Sequence, residues 1–241
     1  MLQRTVVRAA VLLLTLGAGL TQAQSSTTTA PASAAVGSQQ WTVDSGQTVG
    51  AGSDVVRGQI GWPGLWGDYI HGIDPTFDIG GRFGINWGGF DGATYGGQGF
   101  GLSAQLLLRK QFFDIGSFHT AFTFDPGIIL GFPSYSGSST QFGLAFPIGW
   151  QIGFPVADKW VVNASLDLPM YVYFGTFGSF YLPILIGGGV EYQFQPNLSF
   201  TAKLRLGPTI GTGSFGTGPF STSVGTSFTI QTLVGVAYKF N

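Results

Sequence analysis

The stretch FDIGGRFGINWGG, residues 77–89, decides the fold. Its odd positions, Phe77, Ile79, Gly81, Phe83, Ile85 and Trp87, are mostly large and apolar. Its even positions, Asp78, Gly80, Arg82, Gly84, Asn86 and Gly88, are small, polar or charged. An alternation of period two belongs to a β-strand, whose side chains point to opposite faces. Alternation alone leaves the facing open. Either the apolar side packs in a core with Asp78 and Arg82 in water, or it meets lipid with the two charges sealed inside.

Composition bears on the choice. Of 241 residues, 44% are apolar and 9% are charged, whereas a soluble surface carries roughly 25–35% charged residues. The chain has 40 glycines and 22 phenylalanines, and it has no cysteine. The absence of cysteine removes disulfide staples, zinc–thiolate sites and thiol catalysis. A formal net charge of −1 argues against nucleic acid as a partner.

The first residues, MLQRTVVR followed by AAVLLLTLGAGL and TQA, combine a basic start, a short apolar run and small residues. This pattern predicts a signal peptide over 1–23, cleaved after Ala23, because the apolar run is shorter than the roughly 20 residues of a spanning helix. Residues 24–52, which include SSTTTAPASAAVGSQQ, read as a flexible leader. Residues 53–241 remain as one domain.

Alternating runs fill that domain and are separated by turn residues. They predict strands over 53–62, 65–73, 76–88, 98–110, 118–132, 141–154, 160–173, 180–194, 198–212 and 222–240. Short turns and longer loops alternate between them, apart from a tight first hairpin at Pro63. This is the plan of a closed antiparallel transmembrane β-barrel of about ten strands. Eight is the alternative if the first hairpin lies outside the wall.

Parity sorts the charges. Arg57, Asp78, Arg82, Arg109, Asp125, Asp167, Glu191, Lys203, Arg205 and Lys239 fall on the face of small residues. Val56, Ile60, Phe83, Ile85, Leu102, Leu106, Phe122, Ile128, Ile148, Val162, Ile186, Leu204, Phe228 and Val234 fall on the other. The polar face is mostly Gly, Ser, Thr and Ala. That suits a narrow lumen and would make a poor water-facing surface, so the apolar face is expected in lipid. Phe77, Phe118, Trp160, Phe194 and Phe240 gather at the short-turn rim, and Trp62, Trp87, Phe100 and Phe132 at the long-loop rim, as interfacial belts do. The strand over 65–73 has no clean parity, and Asp68 has no assigned face.

The last residues, LVGVAYKFN, resemble the closing strand of Gram-negative outer-membrane β-barrels, in which alternating apolar residues ending on an aromatic form the assembly signal. Val234, Val236, Tyr238 and Phe240 match that pattern, with Asn241 one residue beyond it. The resemblance covers 53–241 as an architecture. It implies the outer membrane of a Gram-negative bacterium and, as partners, outer-membrane lipid, lipopolysaccharide and the barrel-assembly machinery. A porin-like monomer is expected.

Chemistry is sparse. His71 and His119 lie at the short-turn rim, whereas barrel hydrolases work at the outer rim. By hairpin pairing, His119 is expected near Arg109. GTGSFG, residues 211–216, has no following helix to cradle a phosphate. No catalytic residue, metal site or cofactor is assigned. The one constellation is the lumen charge network of Arg57, Asp78, Arg82, Arg109, Asp125, Asp167, Glu191, Lys203 and Arg205. Arg82 is expected to reach Asp125 or Asp167, and Glu191 to reach Lys203 diagonally. The network reads as a structural plug or as a selectivity constriction, and a lumen of this size favours the plug. The functional expectation is an occluded barrel with a structural or surface-interaction role, followed by a narrow channel and, last, an outer-membrane hydrolase.

Overall fold

A computed structural model describes residues 41–87, 99–115, 117–133, 140–174, 178–213 and 223–240. The expected signal peptide, leader residues 24–40, Asn241 and the end of the GTGSFG stretch lie outside the described residues. Ten antiparallel strands make the wall. They are β1 (Asp54–Trp62), β2 (Gly64–Asp74), β3 (Phe77–Trp87), β4 (Gly99–Ile115), β5 (Phe118–Phe124 and Gly127–Pro133), β6 (Gln141–Ala145 and Ile148–Ala157), β7 (Trp160–Leu168 and Tyr171–Phe174), β8 (Ser179–Pro183 and Leu185–Gln195), β9 (Leu198–Gly213) and β10 (Ser223–Phe240).

Each strand pairs with its chain neighbours, and β1 pairs with β10 from Asp54 opposite Phe240 to Trp62 opposite Thr232. The ring is therefore closed along Asp54–Trp62, as lipid requires, and beyond it Ser223–Gln231 of β10 pair with β9 alone among the described residues. The first hairpin belongs to the wall, so the count is ten and not eight.

Proline explains the four interrupted strands. Pro126, Pro147, Pro169 and Pro183 stand in β5 to β8 where the ladder breaks, and Pro208 follows in β9. A proline has no N–H to donate to a neighbour. The carbonyls beside the breaks still accept, Pro126 from Leu106 N–H at 2.8 Å and Pro147 from Asp125 N–H at 2.9 Å. The ladder therefore stays continuous around the ring.

The outer face is apolar over its whole height. Ile60, Phe83, Leu106, Ile128, Leu166, Leu204, Phe228 and Val234 are all exposed, with aromatics such as Phe118, Trp160 and Phe240 toward one rim and Trp62, Trp87 and Phe100 toward the other. The residues of the expected assembly signal, Val234, Val236, Tyr238 and Phe240, share this face. Phe83 stands at mid-strand with 53% of its surface exposed. Phe83→Arg is expected to destabilise the barrel by about 2–4 kcal/mol, the cost of a cation near the bilayer midplane. Reversible unfolding in lipid vesicles measures it.

Residues 41–52 depart from the sequence reading. They are expected to end a flexible leader, and instead 41–49 lie inside the short-turn end of the barrel, with Ala51 and Gly52 exposed where the segment leaves it. Trp41, Thr42, Val43, Asp44, Ser45, Thr48 and Val49 are all buried. The physical reason is a second apolar surface. Val55, Ile70, Leu107 and Ala237 point inward and form a core with Trp41, Val43 and Val49. The segment leaves the lumen through a tight turn in which Gly50 and Gly52 take φ of 94° and 69°, a region that favours glycine.

Candidate functional site

Strand β2 supplies the centre of the charge network. Its inward residues are Trp66, Asp68, Ile70 and Gly72, and its outward ones include Leu65, Tyr69 and Ile73. Two large residues face the lumen, which is why its parity was unreadable. Asp68 has no exposed side-chain surface. It accepts from Arg57 Nε at 2.7 Å and Nη2 at 2.5 Å, and from Arg82 Nε at 2.8 Å and Nη2 at 3.1 Å. One carboxylate on β2 thus bridges arginines on β1 and β3. The register places all three side by side, with Asp68 opposite Arg57 on one flank and Arg82 on the other.

The other charges pair across neighbouring strands, as Arg109 does with Asp78, or across one intervening strand, as Arg82 does with Asp125 and Asp167 with Lys203 and Arg205. Arg109 donates to Asp78 from Nε at 2.8 Å and Nη2 at 2.5 Å. Arg82 Nη1 lies 3.6 Å from Asp125, so the expected reach to Asp125 exists but is secondary to Asp68. Asp167 sits 3.6 Å from Lys203 and 3.8 Å from Arg205 and accepts from Ser165 at 2.7 Å. Arg57, Asp78, Arg82, Arg109, Asp125, Asp167, Lys203 and Arg205 border one internal cavity of about 120 Å³. His119 stands opposite Asp114 rather than near Arg109.

Several network members hold the inserted segment. Arg57 Nη1 donates to Asp44 at 2.7 Å. Arg109 Nη2 donates to the Thr42 carbonyl at 2.8 Å. Asp78 accepts from the Val49 amide at 3.2 Å, and Lys239 Nζ donates to the Val49 carbonyl at 2.9 Å. Glu191 does not turn to Lys203. It accepts from the amides of Val43 at 3.1 Å and Asp44 at 3.3 Å and from Ser199 at 3.0 Å. Burial pushes the Asp44 carboxyl up, but Arg57 and Lys203 draw it further down, to about 2. It is therefore charged at neutral pH, and its tether fades only as pH falls from the ordinary carboxylate range toward 2.

The segment seats on glycine. A Cβ on Gly46 would lie 1.8 Å from the His119 carbonyl oxygen, and one on Gly153 would lie 2.9 Å from Ser45 Cβ. Trp41 Nε1 donates to the Pro196 carbonyl at 2.8 Å, and Thr48 Oγ1 to that of Pro75 at 2.8 Å. Both acceptors are in short turns, so the segment enters and leaves by the same mouth. In the other half of the barrel, Ile129, Ala145, Tyr171 and Tyr173 form a second inner cluster with Tyr181 against it.

Among the described residues, no group of three or more His, Cys, Asp or Glu is placed to hold a metal ion. No family model matches this chain, and no curated protein matches it. Among solved structures it is similar to a KdgM porin in complex with disordered oligogalacturonate, at 12% identity over 78% of this chain and 99% of that one, with a TM-score of 0.36. A second KdgM porin structure gives the same identity and coverage with a TM-score of 0.30. The barrel rests on the strand pairing described above and not on these values.

Proposed function

We propose that this chain is an outer-membrane barrel whose resting lumen is closed, with a structural or surface-interaction role. The observation that carries the reading is the burial of residues 41–49 inside the short-turn mouth, where Asp44 and the backbone of Thr42, Val43 and Val49 are bound by wall charges. The apolar outer belt supports residence in lipid. The apolar alternation of β10 supports handling by the barrel-assembly machinery, and lipopolysaccharide is the outer-leaflet partner of such a wall. A narrow channel is the second reading, favoured by the charge-lined cavity of about 120 Å³. The test is planar-bilayer recording of the refolded full chain. A flat baseline with at most brief openings is expected. Steady conductance that admits large solutes would refute the closed lumen.

A further inference from the structure

We propose that residues 41–52 are a displaceable gate and that the chain is a conditionally open channel for small ions, an inference that rests on the closed resting lumen proposed above. Three observations make the segment removable.

The first is topological. Trp41 is tied to the turn at Pro196 and Thr48 to the turn at Pro75, so the segment dips in and out through one mouth. It can withdraw without threading the barrel. The second is the backbone. The strand ladders close the ring from β1 round to β10 without residues 41–52. Apart from Gly52 at its exit, whose amide donates to the Gly72 carbonyl at 2.7 Å, the segment is held by separate bonds to side chains and turn carbonyls, several of them 3.1–3.3 Å long. Its departure leaves no open edge in the wall.

The third is the charge pairing. The buried wall charges that grip the segment each keep a wall partner after it leaves, and Lys239, which loses the Val49 carbonyl, is only half-buried. Arg57 retains Asp68, Arg109 retains Asp78, and Glu191 retains Ser199. A gate that stranded a buried charge on opening would be held shut by that cost. Here closure comes from Trp41, Val43 and Val49 packed on Val55, Ile70 and Leu107, from the ion pair of Asp44 with Arg57, and from the bonds of Arg109 and Lys239 to the Thr42 and Val49 carbonyls.

Val43 and Asp44 border the charged cavity. Their withdrawal joins it to the short-turn mouth. At the far end the tyrosine cluster comes from the adjacent strands β5 to β8, which narrows the bore from one side and restricts passage to small ions. Asp44 leaves with the gate, while Arg57, Arg82, Arg109, Lys203 and Arg205 stay in the wall beside Asp68, Asp78, Asp125, Asp167 and Glu191, so the opened passage is lined by charges of both signs.

The test uses two full-length variants, and the chain has no native cysteine to interfere. Ser45→Cys with Gly153→Cys places two Cβ atoms at 2.9 Å in the seated state, close to the roughly 3.8 Å of a disulfide after a small shift. Trp41→Ala with Asp44→Asn loosens the gate without touching the wall. In bilayers, the loosened variant is expected to raise open probability by about tenfold or more. The cysteine pair is expected to open when reduced and to fall silent when oxidised. Openings that survive oxidation, failure of the cysteines to cross-link in the folded barrel, or silence of the loosened variant with its folded gel mobility intact would each overturn the gate. Steady conductance of the oxidised pair would refute the closed lumen itself, whereas silence of the loosened variant alone leaves that reading standing.

Discussion

Asp68→Ala is expected to cost the barrel about 3 kcal/mol, the lower end of what breaking a buried ion pair costs. The carboxylate has no exposed side-chain surface, and it is the only group bonded to both Arg57 and Arg82 among the described contacts. Its removal leaves two guanidinium groups in a confined lumen. Asp44 at 2.7 Å from Arg57 and Asp125 at 3.6 Å from Arg82 compensate in part, which keeps the effect from the upper end. Asp54→Ala is the control, because the Asp54 pair with His71 is about two-fifths exposed. An exposed pair is screened, so that variant should unfold with the wild type. Equilibrium unfolding in urea with folded-state gel mobility checks both. Equal stability of Asp68→Ala and wild type would mean that the three-strand bridge contributes nothing.

Gly46→Val should unseat the inserted segment while the wall persists. The new Cβ would meet backbone, the His119 carbonyl at 1.8 Å and the Thr120 nitrogen at 2.6 Å, and backbone in a closed ladder cannot yield as a flexible side chain can. The contrast with Asp68→Ala is informative. One change weakens the wall and leaves the segment bound, and the other expels the segment and leaves the ladder whole. Amide hydrogen exchange separates them. In Gly46→Val, the Val43 and Val49 amides should exchange at least about tenfold faster than in wild type, as a locally opened unit does, with β9 and β10 unchanged.

The wall was legible in the sequence because lipid imposes a strict rule. Each strand must turn apolar residues outward, and period-two parity reports that directly, as Phe83 and Arg82 show. The closing of ten strands followed from the same parity and from the spacing of turns. The inserted segment was not legible, because SGQTVGAG and its neighbours have the small-residue composition of a linker. Its signal lay elsewhere, in Ile70, Leu107 and Val55, apolar residues on a face that is otherwise polar. Trp66 and Ile70 blurred the parity of β2 for that reason and hid Asp68. Individual pairings were also beyond the sequence. Glu191 stands near Lys203 in register, yet it binds backbone amides of a segment far away in the chain. Which partner wins inside a lumen depends on what else enters it.

Occupation of the resting lumen by residues 41–49 is read out by amide exchange of the wild-type chain in lipid nanodiscs. The Val43, Asp44 and Val49 amides, which donate to Glu191 and Asp78, are predicted to exchange slowly, within about tenfold of the barrel strands. Exchange of all three at the rate of an unstructured chain, beside protected strands, would contradict the account.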